Sequence, residues 1–186
     1  DNRLMQSLLN ISDIFARFYA GNDALLATVS VHSECVARKA IFCADAKGLD
    51  IDREFVYEAA LLHDIGVVKC DAPSIHCHGT RPYICHGIEG RAMLESLGLP
   101  RHALVCERHT GSGLSVADII SQNLPIPHRD MLHITLEEKL ICYADKFFSK
   151  SGDLSQEKPL EKVLRQMESH GPDTLARFLR LHTLFS

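Results

Sequence analysis

Ala59-Ala60-Leu61-Leu62-His63-Asp64-Ile65-Gly66 closes an otherwise apolar helix with an imidazole, a carboxylate and a glycine. Phe55, Ala59 and Leu62 share one helical face, so the segment turns inward and carries His63 and Asp64 with it. Packing gives no reason for such an ending, because burying either group unpaired costs several kcal/mol or forces it neutral. Coordination to a cation removes that cost. In an adjacent His-Asp pair the imidazole can hold one ion while the carboxylate bridges to a second.

Working outward, His32 falls inside a stripe of Leu25, Val29, Val36, Ala40 and Cys43 spaced three or four apart, so it points with the core-forming residues. Asp145 repeats the pattern, flanked at helical spacing by Ile141 and Phe148. Between these anchors lie His86, in Cys85-His86-Gly87-Ile88-Glu89-Gly90, and His109, in Cys106-Glu107-Arg108-His109-Thr110-Gly111. The order His, His-Asp, His, His, Asp supplies six N and O donors, enough for two ions with positions left open for water and substrate. Each residue alone has a plainer reading, a hydrogen-bonded core histidine or a paired carboxylate; the combined order is what points to a metal site.

This order resembles the HD superfamily of metal-dependent phosphohydrolases, and His63-Asp64-Ile65-Gly66 is the form found in its HDIG-type members. The likeness runs over about residues 28–150. It implies a compact all-α helical bundle in which His32, His63, Asp64 and Asp145 hold one metal, with His86 and His109 as the added pair of two-metal members. Relatives that cleave cyclic dinucleotides carry Gly-Tyr-Pro soon after the later histidine, whereas His109 is followed by Thr110-Gly111-Ser112-Gly113-Leu114. Those relatives also often place a lysine directly after the HDIG glycine, where this chain has Val67 and its lysine at Lys69. Their substrate contacts are therefore not carried over.

The residues read independently as almost wholly helical. The expected helices cover Leu4 to Ala20, Leu25 to Ala46, Asp52 to His63, Gly87 to Leu97, Arg101 to Arg108, Val116 to Gln122, Leu136 to Lys150, Pro159 to Ser169 and Pro172 to Leu184, with stops at Gly48, Pro100 and Gly171. No alternating run is long enough to demand a strand. The 186 residues fit one domain, with the helices of 159–184 closing the core or forming a homodimer surface. Hydrophobic residues at 46% and charged ones at 24% are ordinary for a globular domain, and no secretory signal or membrane span is visible. The first residue is Asp1 rather than methionine, as in a chain with a trimmed or incomplete amino end. A net charge of −4 gives no electrostatic footprint for nonspecific nucleic-acid binding. Cys35, Cys43, Cys70, Cys77, Cys85, Cys106 and Cys142 make an odd count, several at apolar helical positions, which suits free thiols in a reducing cytoplasm.

The connection from Gly66 to His86, broken by Pro73, Gly79 and Pro82, is the longest irregular stretch and follows the His-Asp pair directly, so it is expected to border the site. It crowds Cys70, His76, Cys77, His78, Cys85 and His86, but without the paired spacing of a structural zinc knuckle. Arg81 is the leading phosphate contact, because its guanidinium matches phosphate oxygens as a fork; Lys69 and Lys146 come next. Glu107 reads first as an exposed helix carboxylate and second as a group that orients water.

The chemistry expected is hydrolysis of a phosphomonoester or phosphodiester of a nucleotide or other small phosphorylated metabolite by a metal-activated water. One or two divalent ions of Mn, Fe, Co, Ni or Zn fit the donors, and Asp64, His86 and His109 are the residues placed at the chemistry. Two alternatives stay open: a diiron oxygenase, which a minority of HD proteins resemble in their donors, and a noncatalytic nucleotide-binding regulatory module.

Overall fold

In the computed structural model, residues 11–186 are described. The expected first helix is seen over residues 11–18 (α1); its proposed part from Leu4 to Asn10 lies outside the described residues. There follow α2 (Asp23–Ala46), α3 (Arg53–Leu62), α4 (His86–Ser96), α5 (Pro100–Arg108), α6 (Val116–Ser121), α7 (Leu136–Asp145), α8 (Leu160–Ser169) and α9 (Pro172–Phe185). The architecture is all-α, and its only sheet among the described residues is a hairpin of β1 (Asp71–Ala72) and β2 (Cys77–His78), paired Asp71 to His78 and Ala72 to Cys77.

Short polar side chains set the starts of the helices. Asn22 accepts from Leu25 N, Asp52 from Phe55 N and Thr135 from Glu138 N, each satisfying one of the amides left free in a first turn. Ser115 and Asp118 exchange side chain and backbone bonds in a full capping box. Pro100 and Pro172 open α5 and α9 at positions where a missing N–H costs nothing. Gly48, just past α2, takes the left-handed φ of 59° that ends the helix.

The long helix α2 spans two apolar clusters. Val36, Ala40 and Cys43 pack with Phe55, Val56 and Ala60 of α3, Leu140 and Ile141 of α7, Val163 and Met167 of α8, and Phe178 and Leu181 of α9. Two turns earlier, Leu25 and Val29 pack with Tyr19, Leu61, Leu62, Ile65, Met93, Leu94 and Cys106. His32 lies where the clusters meet, and so does the end of α3. Each fully buried Leu or Ile in them is worth about 1.5–3 kcal/mol. The helices after Gly152 thus close the core, leaving Leu179 and Leu184 on the outside.

Two expectations are corrected. Apolar spacing predicts a helix from Leu136 to Lys150, but the helix ends at Asp145. Lys146 turns its ammonium onto the carbonyl of His109, and the Phe147 carbonyl accepts instead from Lys158 N, so the chain leaves helical geometry there. The stretch 66–86 is more ordered than an irregular loop, with 3₁₀ turns at Ile65–Lys69, Pro73–Ile75 and Tyr83–Cys85 around the hairpin. Among the described residues, no helix is long and apolar enough to cross a membrane.

Candidate metal centre

Five of the six donors predicted from sequence stand at helix ends. His63 caps α3, Asp64 begins the 3₁₀ turn that follows, His86 opens α4, His109 caps α5, and Asp145 is the last residue of α7; only His32 is internal, in α2. The last carbonyls of a helix have no partner within it. Two imidazoles use this, Nδ1 of His63 donating to Ala60 O at 2.6 Å and Nδ1 of His109 to Cys106 O at 2.7 Å, while Nδ1 of His86 donates to Tyr83 O at 2.6 Å, a carbonyl that also accepts from the His86 N–H. In all three the acceptor is three residues back. In each neutral ring the tautomer is thereby fixed, with Nε2 left to face the interior as a lone pair.

All six side chains converge, and all are buried. His32, His63, Asp64 and Asp145 offer one ligand atom each within 4.8 Å of one another; Asp64, His86 and His109 form a second such group. The two groups share Asp64. Its Oδ2 lies 3.3 Å from His32 Nε2 and 3.1 Å from His63 Nε2, and its Oδ1 lies 3.3 Å from His109 Nε2 and 3.6 Å from His86 Nε2. Asp145 Oδ1 lies 3.0 Å from His32 Nε2 and 3.2 Å from His63 Nε2.

These contacts suit coordination better than hydrogen bonding. Neither oxygen of the fully buried Asp64 has a well-directed hydrogen bond, although five nitrogens come within 3.6 Å. Nε2 of His86 and Nε2 of His109 face each other at 3.1 Å, both with Nδ1 already committed as a donor. Two lone pairs so close repel unless a proton or a metal lies between them. Donors bound at about 2.0–2.2 Å to one ion sit about 3 Å from their neighbours, which is the spacing found.

Without an ion, the cluster balances charge by protonation. Burial opposes a charged ring at His63, but the Asp64 and Asp145 carboxylates outweigh it and raise that histidine to about 10. Burial and the adjacent His109 push His86 down to about 3, and burial likewise lowers His109. Burial works against ionised carboxylates too, yet His63 and Lys150 hold Asp64, and Lys146 and His32 hold Asp145, well below the usual range.

The predicted substrate contacts fare differently. Lys69 is exposed, and Arg81 is half-exposed with its Nε on Glu89 Oε1 at 2.9 Å, so neither joins the cluster. Lys146 does reach it, but is locked in place by His109 O at 2.8 Å and Asp145 Oδ2 at 2.6 Å, the geometry of a brace. Glu107 is buried rather than exposed; Arg91 and Arg129 grip its two oxygens. His76 and His78 are exposed, while Cys70, Cys77 and Cys85 are buried free thiols; none of these residues belongs to a group of metal-ligand geometry. Sequence reading missed Lys150, whose Nζ lies 2.9 Å from Asp64 Oδ2, and Tyr83, whose ring stacks on His86 with centroids 4.6 Å apart. Lys150 was hidden in a segment read as helix, and only the break after Asp145 brings it inward.

The sequence pattern that defines the HD domain matches residues 29–149. An uncharacterized protein of Methanocaldococcus jannaschii is 33% identical over 127 residues, 68% of each chain. Two proteins named tRNA (cytidine(56)-2'-O)-methyltransferase also match. The one from Picrophilus torridus is 31% identical over 152 residues and the one from Thermoplasma volcanium 27% over 150. The matched region is 81% and 80% of this chain but only 39% of either methyltransferase. Among solved structures, the HD domain of the L. monocytogenes phosphodiesterase PgpH superposes with a TM-score of 0.49 at 16% identity, covering 86% of this chain and 90% of that one.

Proposed function

The chain belongs to the HD domain family, and from that premise we propose that it is a metal-dependent phosphohydrolase acting on a phosphomonoester or phosphodiester of a nucleotide or other small phosphorylated metabolite. The observation that carries this reading is the division of one buried carboxylate, Asp64, between two donor groups, each containing at least one imidazole whose Nδ1 is already bound to a backbone carbonyl. His32, His63, Asp64 and Asp145 would hold one divalent ion, and Asp64, His86 and His109 a second. Bound there, such ions would supply Lewis acidity and lower the pKa of water toward neutrality.

The chain's own groups supply the rest. Ala60, Tyr83 and Cys106 carbonyls orient three rings, and Lys146 steadies Asp145 while tying α7 to the end of α5. The apolar clusters on both sides keep bulk water from the donors, which strengthens every electrostatic contact inside. Seven free thiols agree with a reducing compartment such as the cytoplasm. The net charge of −4 favours a small phosphate over a nucleic acid as the partner.

Elemental analysis of protein purified without added metal, followed by phosphate release from a panel of phosphoesters, tests the reading. Two equivalents of Mn, Fe, Co, Ni or Zn and chelator-sensitive release are expected. Loaded protein that releases nothing from any phosphoester, or consumes dioxygen instead, would overturn it.

A further inference from the structure

We propose that the cavity floored by Lys150 is a phosphomonoester subsite of mononucleotide size beside the donor cluster, with Lys150 and Lys158 as its anion-binding groups. The assignment rests on the phosphohydrolase reading and adds the substrate class to it. The cavity has a volume of about 340 Å³ and is lined by Ile75, Tyr83, Phe148, Ser149, Lys150 and Lys158 among others, with no carboxylate in its wall. Two of these residues touch the donor cluster: the Tyr83 ring stacks on His86, and the Lys150 ammonium sits 2.9 Å from Asp64 Oδ2. The cavity therefore lies next to the donors, with Tyr83 and Lys150 forming the wall between them.

Its chemistry selects an anion with an apolar body. Two ammonium groups and the Ser149 hydroxyl offer donors only to acceptor-rich oxygens, as phosphate presents. Ile75, Tyr83 and Phe148 give a wall for a ring or sugar face. The volume is near the lower end of the roughly 300–1,000 Å³ usual for ligand sites, which suits a mononucleotide or a sugar phosphate and not a dinucleotide.

Lys150 has two partners to serve. Facing Asp64, it occupies the side of the carboxylate that also faces His32 and His63, so it competes with a cation for the same oxygen. Once displaced, it is placed to take a phosphate oxygen in the cavity. This dual role makes opposite predictions for metal and for phosphate, which a merely structural lysine would not.

The test uses the full chain, with Co²⁺ binding followed by its visible absorption and with inorganic phosphate, AMP and a cyclic dinucleotide titrated calorimetrically. Lys150→Ala is expected to weaken phosphate and AMP binding by about tenfold or more, the loss of a charge-assisted bond, while tightening Co²⁺ several-fold. Lys158→Ala should weaken phosphate without moving Co²⁺, and keeps the test open should Lys150→Ala fail to fold. The dinucleotide should bind at least about tenfold more weakly than AMP. Phosphate affinity unchanged in both variants, equal weakening of Co²⁺ and phosphate in Lys150→Ala, or a dinucleotide that binds as well as AMP would overturn the assignment. If phosphate binding follows Lys150 and Lys158 but no ester is hydrolysed, the cavity stands and the phosphohydrolase reading falls; turnover with binding indifferent to both lysines gives the reverse.

Discussion

Gly66→Ala is the sharpest probe of how the donors are positioned. A Cβ at this residue would lie 1.9 Å from the His86 carbonyl oxygen and 2.5 Å from Gly90 N, both backbone atoms of α4. An ordinary contact needs about 3.4 Å, so the first turn of α4 would have to retreat by about 1.5 Å. No side chain can swing aside to absorb this. Overpacking usually costs about 1–3 kcal/mol, and with backbone on the far side the upper end applies, about 3 kcal/mol. For a chain of this length that lowers Tm by about 6–12 °C. His86 is the first residue of α4, so the same displacement pulls its Nε2 away from His109 Nε2, now 3.1 Å distant, and from Asp64 Oδ1 at 3.6 Å. His32, His63 and Asp145 come from other helices and are not moved. Calorimetry and elemental analysis after dialysis should therefore find a less stable protein that retains about one metal equivalent and loses the second, a drop of roughly 10–100-fold in affinity at the site of His86 and His109. A variant that melts within about 2 °C of the parent with its metal content intact would show that the close approach of Gly66 to α4 does not place His86.

Three further outcomes follow from named contacts. Asp64→Asn should abolish tight metal binding altogether, whereas His32→Ala and His109→Ala should each remove one equivalent; retention of both ions by Asp64→Asn would refute the sharing of that carboxylate. For Asp118, burial favours the neutral acid but is outweighed by Ser115 and Arg177, which lower its pKa, so its contribution is present above the unfolded value near 3.9 and lost as pH falls through the lower folded value. Asp118→Asn should thus cost about 2 kcal/mol at neutral pH, a gap that closes in acid, and a pH-independent gap in thermal melts would contradict the pairing. Thiol titration of the native protein should find Cys35 reacting first and the six buried cysteines only on unfolding; rapid reaction of several thiols would contradict their burial.

The donor set was legible because its members are chemically out of place. His32 interrupts the apolar stripe of α2, His63 and Asp64 interrupt the end of α3, and the structure brings all six expected residues together. What sequence could not give was direction for long side chains. Arg81 looked free to bind phosphate, yet Glu89, eight residues on, takes its guanidinium. Glu107 looked like a surface carboxylate, but Arg91 and Arg129, from separate segments, make its burial tolerable. Lys150 was unreadable for a different reason. Apolar periodicity continues through Phe147 and Phe148, so the pattern reports burial faithfully while the backbone has already left the helix. The two-residue strands of the hairpin are too short for any alternation to register.

The formal charges near the donors give one more reason to favour a phosphoester. Asp64 and Asp145 are matched by Lys150 and Lys146 at 2.9 and 2.6 Å, so two negative groups meet two positive ones before any ion enters. The Asp64 and Asp145 carboxylates also favour a protonated His63, and metal binding would displace that proton. Two divalent ions would then leave a strong positive excess in a site walled by apolar side chains, where such an excess is poorly screened. A neutral substrate does nothing to relieve it. A phosphate dianion relieves part of it directly, and it also gives Lys150 a new partner for the one it surrenders at Asp64. On this assignment metal loading and phosphate binding would be coupled through one carboxylate, and by thermodynamic reciprocity each should tighten the other.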